Sequence, residues 1–188
     1  MPGYFAALTL VFLIAMVMVR ALLMKRAGII AMNFGKTDRK DFLILPFAFF
    51  YFYLVFAAAF SWPTASKQEF FPSEIIAWVG VVFCLVGLVL FVVSLFSFGN
   101  SFRVGIDENH PGKLVTTGIF AYSRNPIYVA FGFVFSGQFL VHSNWILLVY
   151  LGAAIWLVHR QVLREEDFLR THYGREFSEY CKRVRRYF

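Results

Sequence analysis

Two cysteines are all that 188 residues hold, and neither keeps the company that chemistry needs. Cys84 lies inside an apolar run and Cys181 in a basic tail, with no CxxC and no Cys/His spacing. That argues against a disulfide framework and against a metal centre. Acidic residues are scarce as well, 11 Asp and Glu against 18 Lys and Arg. The resulting charge of +7 clusters beside apolar runs. It therefore reads as membrane topology and attraction to anionic lipid, and no nucleic-acid partner is expected. There is no internal repeat and no low-complexity run. The first apolar segment lacks a basic n-region and a small-residue cleavage site, so it is expected to be a span and not a signal peptide. What remains is hydrophobic. Apolar residues make up 60%, 25 of them Phe, and the mean hydropathy is +0.66, more than a soluble domain of this size can bury.

Five apolar segments stand out: Tyr4 to Met24, Phe42 to Phe60, Ile75 to Phe98, Ile127 to Val141 and Trp145 to Val158. The first two approach the roughly 20 residues that cross a hydrocarbon core of about 30 Å. Only His142, Ser143 and Asn144 separate the last two, which predicts an antiparallel helical hairpin with short arms. The expected fold is all-α: a polytopic membrane protein of about five transmembrane helices, the last two paired, with a cytoplasmic cofactor pocket. Residues 1–98 are expected to form a three-span membrane region. Residues 99–188 are expected to form the catalytic region of loop, hairpin and basic tail. Lys25, Arg26, Lys36, Arg39 and Lys40 follow the first span, Arg103, Lys113 and Arg124 precede the fourth, and eight Lys and Arg follow the fifth. With five crossings these groups share one face, and the opposite loops hold only Lys67. The positive-inside rule then puts the N-terminus outside and the C-terminus in the cytoplasm.

Ala77, Gly80, Cys84, Gly87 and Ser94 recur at helical spacing, a small-residue stripe that lets a neighbouring helix approach. Gly132 and Ser136 make a weaker version on the fourth span. The stretch from Gly99 to Arg124 is polar and rich in turn formers, and a long connection of this kind is usually functional. Asn125-Pro126 then opens the fourth helix in the preferred order, Asn as N-cap and Pro at the first helical position. Taken alone, that pair needs no ligand. Its neighbours add to it: Arg124 before, Tyr128 one turn after, and Arg160, Arg164, Glu165, Glu166 and Asp167 at the far end of the hairpin. Because the arms are antiparallel, Arg124 to Tyr128 and Arg160 to Glu166 are expected to face each other across the hairpin mouth.

Leu114-Val115, Gly118, Arg124, Pro126, Tyr128, Glu165-Glu166, Tyr173-Gly174, Tyr180 and Val184 stand in one order and spacing. Over roughly residues 110 to 188 this pattern resembles the isoprenylcysteine carboxyl methyltransferases and the related phospholipid methyltransferases. Asn125 stands where that family usually has His, so a role that needs an imidazole proton is absent there; Phe120 stands where Tyr is usual. The resemblance implies an integral membrane enzyme that uses S-adenosylmethionine and releases S-adenosylhomocysteine. The lipid or prenylated acceptor would enter from the bilayer, most simply an isoprenylated cysteine with a C-terminal carboxylate. Mapped onto this chain, the cofactor would be held by Gly112, Lys113, Leu114, Val115, Gly118, Phe120, Asn125, Pro126, Ile127, Tyr128, Glu165 and Glu166, with no metal. Leu114, Val115 and Phe120 would offer an apolar slot for adenine, and Glu165 or Glu166 would hold the ribose or the ammonium. Arg124 and Arg160 would be the catalytic candidates, clamping a carboxylate bidentately. Other readings are a phospholipid N-methyltransferase with Glu165 or Glu166 as base, an NADPH-dependent enzyme like the membrane sterol reductases, and a non-enzymatic lipid-binding protein.

Overall fold

The computed structural model describes residues 1–26, 44–62, 70, 72–98 and 114–188. Among the described residues every regular element is helical: α1 (Pro2–Arg26), α2 (Ile44–Ala59), α3 (Glu74–Phe98), a 3-10 turn (Gly118–Ala121), α4 (Pro126–Val141), α5 (Trp145–Tyr173) and α6 (Arg175–Arg183). Each expected apolar segment thus falls on a helix over its described residues; Phe42 and Leu43, at the start of the second, lie outside them. Helices α1, α3 and α5 are long and apolar enough to cross a membrane. At 16 residues, α2 and α4 are shorter, about 24 Å at 1.5 Å per residue.

The last span carries its charged residues on the same helix, as expected. The apolar part of α5 ends near Val158, but the helix runs on to Tyr173, 29 residues in all. Nothing between Val158 and Gly174 breaks a helix, whereas Gly174 takes a φ of 52°, a left-handed conformation that favours glycine and turns the chain into α6. Glu165 and Glu166 therefore ride on a continuous rod, about 10 Å beyond the apolar part of α5. Asn144 starts that rod, its side chain accepting a hydrogen bond from the Leu147 amide at 3.0 Å.

The small-residue stripe of α3 does meet a neighbour, and the neighbour is α4. A Cβ placed on Gly80 would lie 2.6 Å from the Gly137 carbonyl oxygen, and one on Gly87 would lie 2.8 Å from the Ala130 carbonyl oxygen. Backbone packs on backbone here, which makes α3 and α4 the rigid pair of the fold. Gln138 fastens α1 to this pair: its buried amide donates to the Ala6 carbonyl at 2.7 Å and to the Thr9 hydroxyl at 3.3 Å. The second stripe behaves otherwise. Nothing lies within 4 Å of a Cβ built on Gly132, and both Gly132 and Ser136 line a cleft between α4 and α5.

After Gly174 the chain folds back. Phe177, Tyr180 and Val184, at three- and four-residue spacing, bury one face of α6 and the turn that follows it against Leu114, Leu169 and Tyr173. The Tyr180 hydroxyl donates to the Phe120 carbonyl at 2.6 Å, and Phe120 meets the Phe98 ring at 4.5 Å. That sequence of contacts links the end of α3, the 3-10 turn and the tail into one small core at the base of the hairpin.

Candidate active site

The hairpin mouth is where the chain spends its polar groups. Glu166 is buried, and both of its oxygens are engaged. Oε1 accepts from Arg124 Nε at 3.1 Å, Arg124 Nη2 at 2.9 Å and Asn125 Nδ2 at 3.2 Å. Oε2 accepts from Arg186 Nε at 3.0 Å and Nη2 at 2.8 Å. Burial opposes ionisation, but the hydrogen bonds and charges of Arg186 and Arg124 outweigh it and hold the Glu166 carboxyl below the usual carboxylate range. Arg124 also donates through Nη1 to the carbonyls of Cys181 and Val184, at 3.3 and 2.6 Å. Four of the five N–H groups of a guanidinium are thereby committed. The Arg124 amide donates to the Arg185 carbonyl at 3.0 Å, and Asn125 Nδ2 and Ser123 Oγ donate to the Arg186 carbonyl at 3.2 and 3.5 Å. Arg124, Asn125 and Glu166 together bolt residues 181–186 across the hairpin mouth.

Glu165 turns the other way, as adjacent helix residues about 100° apart must. Its Oε1 accepts from the Tyr128 hydroxyl at 2.5 Å and from Gln161 Nε2 at 2.9 Å. Burial pushes its carboxyl up, and those two hydrogen bonds offset part of the rise. Tyr128 is also one wall of an apolar cleft of about 390 Å³ between α3, α4, α5 and the tail. Phe83, Phe133, Phe135 and Ile155 line its apolar length, and the cleft has room because Gly132, Ser136 and Ala154 carry small side chains. His159 and Tyr187 close the end near Tyr128, with His159 Nδ1 2.8 Å from the Tyr187 hydroxyl.

The expected facing of Arg124 to Tyr128 against Glu165 and Glu166 is thus present, in three separate side-chain contacts. Arg160 does not join them; it is exposed, its guanidinium carbon 5.8 Å from the centre of the Trp156 ring. Asn125 holds the N-cap position with Pro126 at the first helical position, but its side chain makes no capping bond because Glu166 and the Arg186 carbonyl take it. Phe120 is buried against Phe98 and Leu114 packs under α6, so both belong to the base core rather than to the cleft wall. Val115 is half-buried beside Leu114. Gly118 has a φ of 63° at the head of the 3-10 turn, and a Cβ there would meet Ser97 Oγ at 2.8 Å. Pro126 is buried, and Ile127 packs against the Phe91 and Leu95 cluster of α3. Gly112 and Lys113 lie outside the described residues.

Sequence reasoning missed Arg186, Gln161, His159 and Tyr187. Arg186 read as one more charge of a basic tail. His159 and Tyr187 stand 28 residues apart with no motif around either, so only the return of the tail could pair them.

Comparison with known proteins shows the family. The family model described as phospholipid methyltransferase matches residues 75–176, more than half of the chain. The chain is 29% identical over 136 residues to the protein-S-isoprenylcysteine O-methyltransferase of Rattus norvegicus, covering 68% of this chain and 48% of that protein. It is 29% identical over 114 residues to a probable protein-S-isoprenylcysteine O-methyltransferase of Oryza sativa subsp. indica, covering 58% and 59%. Over 111 residues it is 31% identical to the protein-S-isoprenylcysteine O-methyltransferase of Dictyostelium discoideum, covering 57% and 46%. The chain spans about half the length of the curated relatives it matches. The matched region holds the α3–α4 pair, the Arg124 to Tyr128 segment and the Glu165-Glu166 pair, and the chain belongs to the phospholipid methyltransferase family.

Proposed function

We propose that this chain is an integral membrane methyltransferase that moves a methyl group from S-adenosylmethionine to the carboxylate of an isoprenylcysteine-type acceptor. The observation that carries the reading is the cleft: an apolar space of about 390 Å³ with Tyr128, His159 and Tyr187 at its polar end and Glu165 bonded to Tyr128 behind them. Such a shape suits an amphiphile whose tail lies at the level of the spans and whose head reaches the interface. The relatives' names supply the acceptor class.

The residues fit the cofactor at one point in particular. Glu165 engages its described partners through Oε1 alone, which leaves an oxygen to accept from a ribose hydroxyl or an ammonium. Aromatic faces of Tyr128 and Tyr187 suit a cation such as a sulfonium. Bound S-adenosylmethionine would supply an electrophilic methyl. Everything else is placement. A carboxylate is already ionised at neutral pH and needs no base. Arg124, Asn125 and Glu166 hold the tail that completes the cleft, and the Phe-rich walls exclude water, so the chain's contribution is orientation and desolvation. In this reading five helices cross the bilayer, with the N-terminus outside and the hairpin mouth in the cytoplasm.

A lipid amine is the second reading. Glu165, its carboxyl pushed up by burial, stands beside the cleft where a departing proton would need an acceptor. One experiment separates the readings. Purified protein in lipid nanodiscs is given methyl-labelled S-adenosylmethionine with either a prenylcysteine acid or a lipid amine. Label in a base-labile ester on the acid is expected. Base-stable label on the amine alone would replace the first reading with the second, and binding of NADPH without binding of S-adenosylhomocysteine would reject both.

A further inference from the structure

Four residues lining the cleft carry polar side-chain atoms: Tyr128, Ser136, His159 and Tyr187. Tyr128 gives its proton to Glu165. Ser136 stands two turns further along α4, among the phenylalanines. The two arginines that the sequence put forward for the clamp are elsewhere. Arg124 is committed to Glu166 and the tail carbonyls, and Arg160 lies on Trp156, outside the lining of the cleft. His159 and Tyr187 remain, side by side at the polar end and hydrogen-bonded only to each other among their described contacts of that kind.

We propose that His159 and Tyr187 together bind the acceptor's carboxylate, the part the sequence assigned to arginine. This rests on the proposed function and names the head-group site within it. The pair has the donors required. With the proton on Nδ1, His159 donates to the Tyr187 oxygen and the phenol proton turns outward to the ligand; with the proton on Nε2, the imidazole itself points a donor away from the tyrosine. In either arrangement one donor faces outward, and a doubly protonated ring presents a cationic donor chain. The tail sets the geometry. Glu166 grips Arg186 one residue before Tyr187, so the same carboxylate that neutralises Arg124 fixes where the phenol stands. Tyr187 lies beyond the region matched by the family model, which ends at residue 176, and nothing in that match assigns it.

The test uses the full chain in nanodiscs with three variants: Tyr187→Phe, His159→Gln and Arg160→Lys. KM for a prenylcysteine acid is measured, and so is the affinity for the corresponding methyl ester, which has no charge to recognise. Tyr187→Phe and His159→Gln are each expected to raise KM for the acid by about tenfold or more, the scale of a hydrogen bond to a charged group. Affinity for the ester and for S-adenosylhomocysteine should hold, which also reports an intact fold. Arg160→Lys should leave KM for the acid as it was. Unchanged KM in both Tyr187→Phe and His159→Gln, with the acid still methylated, overturns this inference alone. A tenfold rise in Arg160→Lys returns the role to the arginine. No methylation of the acid by the unaltered protein overturns the proposed function and the inference with it.

Discussion

Replacing Glu166 with Ala should release the tail before it unfolds the bundle. The side chain is 4% exposed and answers two guanidinium groups, Arg124 at 11% and Arg186 at 35% exposure. Removing one partner of a buried ion pair costs about 3–5 kcal/mol, because the other charge is left in poor solvent. Arg124 is near that limit. Arg186 can turn to water and should add less than about 1 kcal/mol, the value of an exposed pair. A loss of about 3–4 kcal/mol falls on the segment from Cys181 to Arg186, whose other described side-chain ties beyond α6 run to Ser123, Arg124 and Asn125. Local opening is the expected response, since α3 and α4 do not depend on these bonds. Trypsin reports it directly, because Arg183, Arg185 and Arg186 all lie in the tail. Glu166→Ala protein in nanodiscs should be clipped there at least tenfold faster than the unaltered chain, as a loss of over 1.4 kcal/mol implies. Glu165→Ala should not be. Equal protection in Glu166→Ala would refute the view that this carboxylate holds the tail.

The helices were legible because apolar runs of this length have few alternatives. Even the stripe on α3 could be read as a contact surface, though its partner could not. The charged end of α5 was legible as a continuation of the span through Asp167, but its stop at Tyr173 was not, because only Gly174 marks it. The second stripe misled for a related reason. Gly132 and Ser136 have the spacing of a packing surface, and spacing cannot say whether the small side chains admit a helix or leave a cavity.

At the site, the sequence brought the right segments together without showing which contacts each residue makes. Arg124, Asn125 and Glu166 looked like ligand residues since they are charged or polar beside a helix start. They meet one another because the hairpin is antiparallel, and they meet the tail because Gly174 reverses the chain. Two adjacent glutamates on a helix cannot share a role when their side chains diverge by about 100°. Glu166 meets the tail and Glu165 meets Tyr128, and only the rotation of α5 decides which.

Three further perturbations probe the parts separately. Gly137→Leu places a side chain where Gly80 and Cys84 already stand, so thermal stability should fall by the equivalent of about 1–3 kcal/mol or more, and a melting curve unchanged from the parent would contradict the close α3–α4 approach. Cysteines introduced at positions 67, 113 and 175 of a cysteine-free variant test the orientation: reagent outside sealed vesicles should reach 67 and spare 113 and 175, and external labelling at 113 would sink the five-crossing arrangement. Acid should loosen the tail. The folded carboxyl of Glu166 is held below its ordinary range, so its contribution is complete above about pH 4.3, the unfolded value, and disappears as pH falls through the folded one. Relative to pepsin's rate on an unfolded control at each pH, clipping of residues 181–188 should therefore speed up as pH falls below about 4, while Glu166→Gln protein should show no such acceleration. A glutamine cannot titrate, so acceleration of equal size in both proteins would place the acid-sensitive group elsewhere than Glu166.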